Sequence, residues 1–288
     1  MINYPILILG YNRPEKFSQV LFQCAILGAK EIFVSIDGPV FEEKKNDVTV
    51  KHNSVIEHVR LNYPDINIEV KYWSYNLGVK KGVSGGISWF FSRVDQGIIL
   101  EDDCLPSSGF FKFVEFNFDL LKTKPNLFAI CGTTFNIAEL EYYSRFCHVW
   151  GWATTKEKWS NFSQSTPKLF LRRVITICHA GEDFVDRLFW IYVLVVSLTG
   201  RIRTWDYDWN FSIWENSGYC LIPGHSYVTN LGFDADATRT KNGEQGLRLE
   251  KDFLDVRREE TRYIFDKVIS YKHYRILERM RNKLLQWR

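Results

Sequence analysis

Three consecutive carboxylates, Glu101-Asp102-Asp103, follow directly on the apolar residues Ile98-Ile99-Leu100, themselves preceded by Gly97. Side by side, such groups repel one another unless a cation or several hydrogen-bond donors compensate them, and their oxygens suit hard divalent metals. The apolar run fits a strand buried on both faces, as in a parallel sheet covered by helices. In open sheets of that kind ligands collect outside the carboxyl ends of the strands. An acidic triplet alone reads equally well as a solvated turn; its place at a strand end favours a ligand site. Two further apolar runs empty into polar turns, Tyr11-Asn12-Arg13 and Asp37-Gly38. Asp206 and Asp208 stand between Trp205 and Trp209.

The elements that must position these residues are legible in the apolar spacing. Residues 5–9 form a first strand. Asn12 can cap the helix that follows, and Pro14 suits its first turn. Phe17, Val20, Leu21, Cys24 and Leu27 recur at helical spacing, and Gly28 can close the helix. A second strand covers 32–36, a helix 48–60, and Ile66, Ile68, Val70 and Tyr72 alternate as a third strand. After Asn76-Leu77-Gly78 another helix shows Val79, Val83, Ile87, Phe90, Phe91 and Val94 on its apolar face, and the strand ending in the carboxylates follows. This alternation predicts a parallel α/β sheet with right-handed crossovers. Beyond it, the expected elements are an aromatic helix around 110–121, a strand at 127–131, a short helix at 156–162, a core helix at 188–199, a helical segment opening at 204, and short strands at 219–222 and 226–229. With no break in composition, the second half reads as the acceptor side of one compact unit.

The chain of 288 residues is long enough for a substantial core, and its aromatic share of 16% suggests rings lining a cleft as well. A net charge of +3 is too small to argue for nucleic acid. Six scattered cysteines without a Cys-x-x-Cys spacing read as buried free thiols in a reducing compartment. His148 and His179 lack metal-ligand spacing and read as structural or surface groups. No signal peptide is evident, and the longest apolar run, 188–199, falls short of the roughly 20 residues a spanning helix needs. The expected location is cytoplasmic.

In this order, Gly10-Tyr11-Asn12-Arg13-Pro14, Ser35-Ile36-Asp37-Gly38, Asn76-Leu77-Gly78 with Lys80-Lys81, Glu101-Asp102-Asp103, Trp150-Gly151-Trp152-Ala153, Trp205-Asp206-Tyr207-Asp208-Trp209 and Asn230-Leu231-Gly232-Phe233 resemble a nucleotide-sugar glycosyltransferase of the GT-A fold. The likeness is to bacterial family 2-type transferases related to N-acetylglucosaminyltransferase I, and it covers about residues 4–240. It implies an α/β, Rossmann-like, mostly parallel sheet flanked by helices. Residues 1–104 would form the donor-binding half, 105–245 the acceptor and catalytic half, and 246–288 a helical basic tail.

The resemblance also implies roles. Asp103 would hold a divalent metal, Mn²⁺ or Mg²⁺, through the donor diphosphate, with Glu101 and Asp102 contacting ribose or sugar or orienting Asp103. Asp37 would accept hydrogen bonds from the base, and Gly38 and Asn76 would line the donor site with it. Asn12 and Arg13 would line the nucleotide cleft; as a helix cap and a surface cation they have an equal alternative reading. Lys80 and Lys81 would meet the diphosphate or form a solvated face. Trp152 would offer its ring to an acceptor sugar or belong to the core. Asp206 or Asp208 would be the base of an inverting transfer, and because residues two apart on a helix point about 200° away from each other, only one can face the cleft. Asp206 is favoured. Relatives commonly carry a histidine where Ala237-Thr238-Arg239-Thr240 has Arg239, which cannot ligate a metal but can offset phosphate charge.

The expected donor is a nucleotide sugar, UDP-linked by resemblance, and the expected acceptor a glycan or lipid-linked glycan. Residues 271–288 carry six basic side chains against the single acid Glu278, with Tyr274, Leu277, Met280 and Leu284 at helical spacing. They read as a peripheral contact with the inner face of a membrane, or as a solvated helix packed on the domain. Two rival functions share these features: a sugar-phosphate nucleotidyltransferase, and a non-catalytic module that binds nucleotide sugars or glycans. The first should carry a glycine-rich basic loop after its first strand, and 10–16 is poor in glycine.

Overall fold

The computed structural model describes residues 2–40, 45–135, 140–181, 183–233 and 262–263. Strand and helix alternate through β1 (Ile6–Gly10), α1 (Pro14–Ile26), β2 (Glu31–Ile36), α2 (Lys45–Asn62), β3 (Asn67–Tyr72), α3 (Gly78–Phe91) and β4 (Gln96–Glu101). There follow β5 (Cys104–Pro106), α4 (Ser108–Thr123), β6 (Leu127–Cys131), β7 (Tyr142–Ser144), β8 (Trp152–Thr155), α5 (Lys156–Trp159), α6 (Phe170–Ala180), α7 (Phe184–Leu198), α8 (Asp206–Glu215), β9 (Tyr219–Ile222), β10 (Val228–Asn230) and β11 (Arg262–Tyr263).

A nine-stranded sheet runs in the order β11-β7-β9-β6-β8-β4-β1-β2-β3. The four strands β4-β1-β2-β3 are parallel. β8 is antiparallel to both β4 and β6, β9 is parallel to β6, and β7 is antiparallel to β9. β5 and β10 form a separate antiparallel ribbon. The chain steps outward from β1 to β2 to β3, then returns through α3 to place β4 on the other side of β1. The order reverses between β1 and β4, and in open α/β sheets the ligand crevice lies outside the carboxyl ends of the strands at such a point.

Successive side chains of a strand point to opposite faces. Ile6 and Ile8 of β1 therefore pack with Phe17, Val20 and Leu21 of α1, Val59 of α2 and Phe113 of α4, while Leu7 and Leu9 pack with Ile87 and Phe90 of α3 on the other face. Two covered faces explain why these strands read as unbroken apolar runs. The second face is deepened by α7 and α8, whose Trp190, Trp209 and Phe211 join it.

The α/β architecture is the expected one, with local differences: the short strands β5, β7 and β8 add to the expected elements, and four particular expectations change. Asn12 does not cap α1: the capping position is Arg13, with no side-chain cap, and Pro14 opens the helix as expected. Val79, expected on the apolar face of α3, is exposed. α6 was not anticipated, because its apolar residues fall on both sides: Ile177 is buried while Leu171 and Ile175 are exposed. The expected tail over 246–288 lies outside the described residues except for β11, which is extended rather than helical and pairs parallel with β7. Among the described residues no helix is long and apolar enough to cross a membrane.

Candidate functional site

The crevice between β1 and β4 is built from the turns that end those strands. Leu9 is in register with Glu101, so the Tyr11-Asn12-Arg13 turn and the acidic triplet leave the sheet side by side. The Tyr11 amide donates to Asp102 Oδ2 at 3.3 Å. Arg13 Nη1 donates to Asp103 Oδ2 at 2.6 Å and lies 3.8 Å from Asp102 Oδ1. Asn12 is exposed.

The ribbon of β5 and β10 closes one side of this mouth. Asn230 pairs with Cys104, the Leu231 amide donates to the Asp103 carbonyl at 2.7 Å, and Lys16 Nζ donates to the Leu231 carbonyl at 2.6 Å. Gly232 packs so tightly here that a Cβ would lie 2.6 Å from Asp103 Oδ2. Any larger residue would push into that carboxylate.

The electrostatics of the triplet are unbalanced. Burial first, then the charges of Asp103, Asp102 and Asp206, push Glu101 up to about 8. Burial and Asp103 push Asp102 up to about 7, against the lowering effect of Arg13. Asp206, at the start of α8, is near enough for its charge to act on Glu101. Asp206 is itself raised by burial, and the Thr204 hydroxyl donates to its Oδ1.

Asp208, one step further along α8, has a different environment. It is 1% exposed, with Lys80 Nζ 2.6 Å from Oδ2 and Arg173 Nη1 3.0 Å from Oδ1. Ser165 donates to the same Oδ1 through its amide at 2.9 Å and its hydroxyl at 2.5 Å. Arg173 is fully buried and reaches the Ser163 carbonyl at 2.7 Å as well. Asp208 is thus the hub of a buried ion network tying α3, α6 and α8 together, whereas Asp206 is half-buried.

Several expected roles are corrected by these contacts. Both oxygens of Asp37 are taken: Gly38 and Leu77 amides donate to Oδ1 at 2.9 Å each, the Gly78 amide and Asn76 Nδ2 to Oδ2 at 3.0 and 3.3 Å. A carboxylate offers about four lone-pair sites, so none remains for a base. Asp37 instead fastens the end of β2 to the start of α3, beside the Asp37 amide's bond to the Gly10 carbonyl at 2.9 Å. Gly38 is a packing requirement, since a Cβ there would lie 2.4 Å from the Tyr75 carbonyl carbon, and its own carbonyl accepts from Asn76 at 2.8 Å. Lys80 is committed to Asp208 rather than presented to a diphosphate. Lys81 is exposed on α3.

Trp152 is not an acceptor platform. It is 0% exposed, stacked on Trp205 at 5.8 Å between ring centroids and tilted against Trp209 at 5.9 Å, in the core under α8. Arg239, with its neighbours 237–240, lies outside the described residues. His148 is buried with Nδ1 on the Thr133 carbonyl, and His179 is exposed, in line with their structural and surface reading.

Lys16, Ser165 and Arg173 were not singled out in the sequence. For Arg173 a signal existed: it stands one turn before Ile177 on the buried side of α6, and an arginine in an apolar stripe demands a buried partner.

No protein-family model and no curated protein matches this chain. Solved structures show a partial likeness. The mannosyltransferase PcManGT from Pyrobaculum calidifontis, in complex with GDP-Man and Mn²⁺, is 11% identical with a TM-score of 0.42 over 74% of this chain and 69% of its own. Mouse xyloside xylosyltransferase 1 is 10% identical with a TM-score of 0.37 over 73% and 80%. HddC from Yersinia pseudotuberculosis, complexed with GMP-PN, is 12% identical with a TM-score of 0.36 over 54% and 77%. The likeness is one of architecture, and no residue role passes from those proteins to this one.

The chemistry of the donor set nevertheless fits a hard divalent cation. Carboxylate oxygens are its preferred ligands, and burial together with neighbouring carboxylates raises Glu101 and Asp102, a like-charge crowding that a cation would relieve. The triplet does not converge on one point: among the described residues the one trio of ligating groups within 4.8 Å is Cys131, Cys147 and Cys220. A cation at Asp103 would therefore need further ligands from an anionic substrate.

Proposed function

We propose that the chain is a nucleotide-sugar glycosyltransferase that moves a sugar, with inversion, from a UDP-linked donor to a hydroxyl of a glycan or lipid-linked glycan. The observation that carries this reading is the acidic triplet Glu101-Asp102-Asp103 at the end of β4, beside the point where the sheet order reverses, with Arg13 Nη1 2.6 Å from Asp103 Oδ2 and the charge of Asp206 felt at Glu101.

On this reading residues 1–104 bind the donor and 105–245 contribute the acceptor side. Asn12 and Arg13 lie along the nucleotide, and Asp103 holds Mn²⁺ or Mg²⁺ against the diphosphate. The cation, when bound, offsets charge on the departing diphosphate. Glu101 and Asp102 orient Asp103 and contact the sugar or ribose. Asp206 takes the proton of the acceptor hydroxyl as its oxygen attacks the anomeric carbon from the face opposite the diphosphate. Its raised pKa suits a base, because a proton acceptor works best when its pKa approaches the working pH. Arg239 offsets phosphate charge.

A panel of nucleotide sugars, each tested for thermal stabilisation with and without Mn²⁺, examines this directly, since a ligand that binds the native state raises apparent stability. The reading expects one donor to stabilise the protein in a metal-dependent way. Stabilisation by none of the panel would contradict it.

A further inference from the structure

On the face of the sheet that carries α8, three thiols converge from three separate segments. Cys131 ends β6, Cys220 lies on β9 beside it, and Cys147 follows β7. Ala129 is in register with Cys220, so Cys131, two residues on from Ala129, projects from β6 to the same face as Cys220. All three sulfurs lie within 4.8 Å of one another, and Cys131 and Cys147 are 3.9 Å apart. Zinc–thiolate bonds near 2.3 Å set the sulfur–sulfur edge of a tetrahedron at roughly 3.8 Å.

A second feature distinguishes the trio from thiols packed as small apolar groups. The His148 amide donates to Cys131 Sγ at 3.3 Å, a bond of the kind that favours a thiolate over a thiol. The ligands are also held from behind. Asn210 Oδ1 accepts from the Cys147 amide at 2.9 Å, while Asn210 Nδ2 donates to the Asp206 carbonyl at 3.1 Å. The trio is therefore anchored to the helix that carries Asp206.

We propose that Cys131, Cys147 and Cys220 form a thiolate site for a soft d¹⁰ cation, Zn²⁺ being the first choice, which staples β6, β9 and the segment after β7 beneath α8. Three sulfurs select for zinc or copper(I) and against magnesium or manganese, so this site and the acidic one take different ions. The described residues supply three sulfurs, so a tetrahedral ion would take a small exogenous ligand in its fourth position; lying in the core rather than at the acidic triplet, the ion would belong to folding rather than to turnover.

The test is a Co²⁺ titration of the full chain, purified reduced and stripped with a chelator. The expected result is a thiolate-to-cobalt charge-transfer band that saturates at one ion per chain and is abolished by Zn²⁺. It should be lost in Cys147→Ala and kept in Cys178→Ala, whose thiol is exposed and apart from the trio. Asp103→Asn should keep it too, because cobalt bound by carboxylates gives no sulfur band. If Cys147→Ala does not fold, the stripped wild type decides: Zn²⁺ should raise its melting temperature, and equally so in Asp103→Asn. Absence of the band in wild type, its persistence in Cys147→Ala, or no zinc-dependent rise would overturn the site.

Discussion

Arg13 Nη1 rests 2.6 Å from Asp103 Oδ2, so a guanidinium from the β1 turn lies on the last carboxylate of the triplet at the end of β4. The contact ties together the two strand ends between which the sheet order reverses. On the proposed reading it sets a cation beside the carboxylate that would hold the metal, on the path of the donor phosphates. Asp103→Asn should weaken metal-dependent donor binding tenfold or more, about 1.4 kcal/mol, and leave the melting temperature nearly unchanged. Calorimetric titration of the donor with and without Mn²⁺ measures this; donor affinity insensitive to a chelator in wild type would reject the role.

The two aspartates of α8 should separate cleanly. Asp206→Asn should lower the transfer rate by about 10²–10⁴-fold with donor affinity preserved, because proton transfer matters only in the transition state. Asp208→Asn should act on the fold, since it removes the buried charge that Lys80 and Arg173 share and leaves Arg173 with Glu215 as its remaining carboxylate, and breaking a buried ion pair costs about 3–5 kcal/mol. Denaturant melts beside donor titrations distinguish them. A stable, inactive Asp208→Asn variant would reverse the assignment.

The triplet should also make stability depend on pH. Glu101 and Asp102 are raised in the folded protein, from 4.5 to about 8 and from 3.8 to about 7. Between those limits the folded state holds more protons than the unfolded chain, so stability falls as pH rises from about 4 to 8. A denaturant series across this range should show the fall, and Asp102→Asn should flatten it. Stability that rises over the same range in wild type and is unaltered by Asp102→Asn would contradict the burial of these charges.

Trp152→Ala should cost about 3–5 kcal/mol, as expected for removing a large core aromatic, while a smaller change such as Trp152→Phe keeps the fold and donor binding. Thermal melts and a donor titration check both. A Trp152→Ala variant as stable as wild type, with weakened acceptor use, would restore the ring to the acceptor site.

Much of the scaffold was legible because β1, β2 and β4 are buried on both faces and read as unbroken apolar runs, ending where the polar turns begin. The triplet was legible for the same reason: it interrupts such a run abruptly. What sequence could not supply was the partner of each charge. Asp37 reads as a free carboxylate at a strand end, and only the fold brings four donors from 38 and 76–78 onto it. Lys80 and Asp208 are far apart in the chain and meet only in the fold, where the ion pair joins α3 to α8. Trp152 misled because a tryptophan beside a glycine fits a sugar platform and a core equally, and the choice is made by Trp205 and Trp209 closing over it.

The central claim is tested most directly by the bond that breaks. Wild-type protein, a stabilising nucleotide sugar, Mn²⁺ and a glycan acceptor should release nucleoside diphosphate and form a product of inverted anomeric configuration by NMR, and Asp206→Asn should release almost none. Release of pyrophosphate, or retention of the anomeric configuration, would contradict the account.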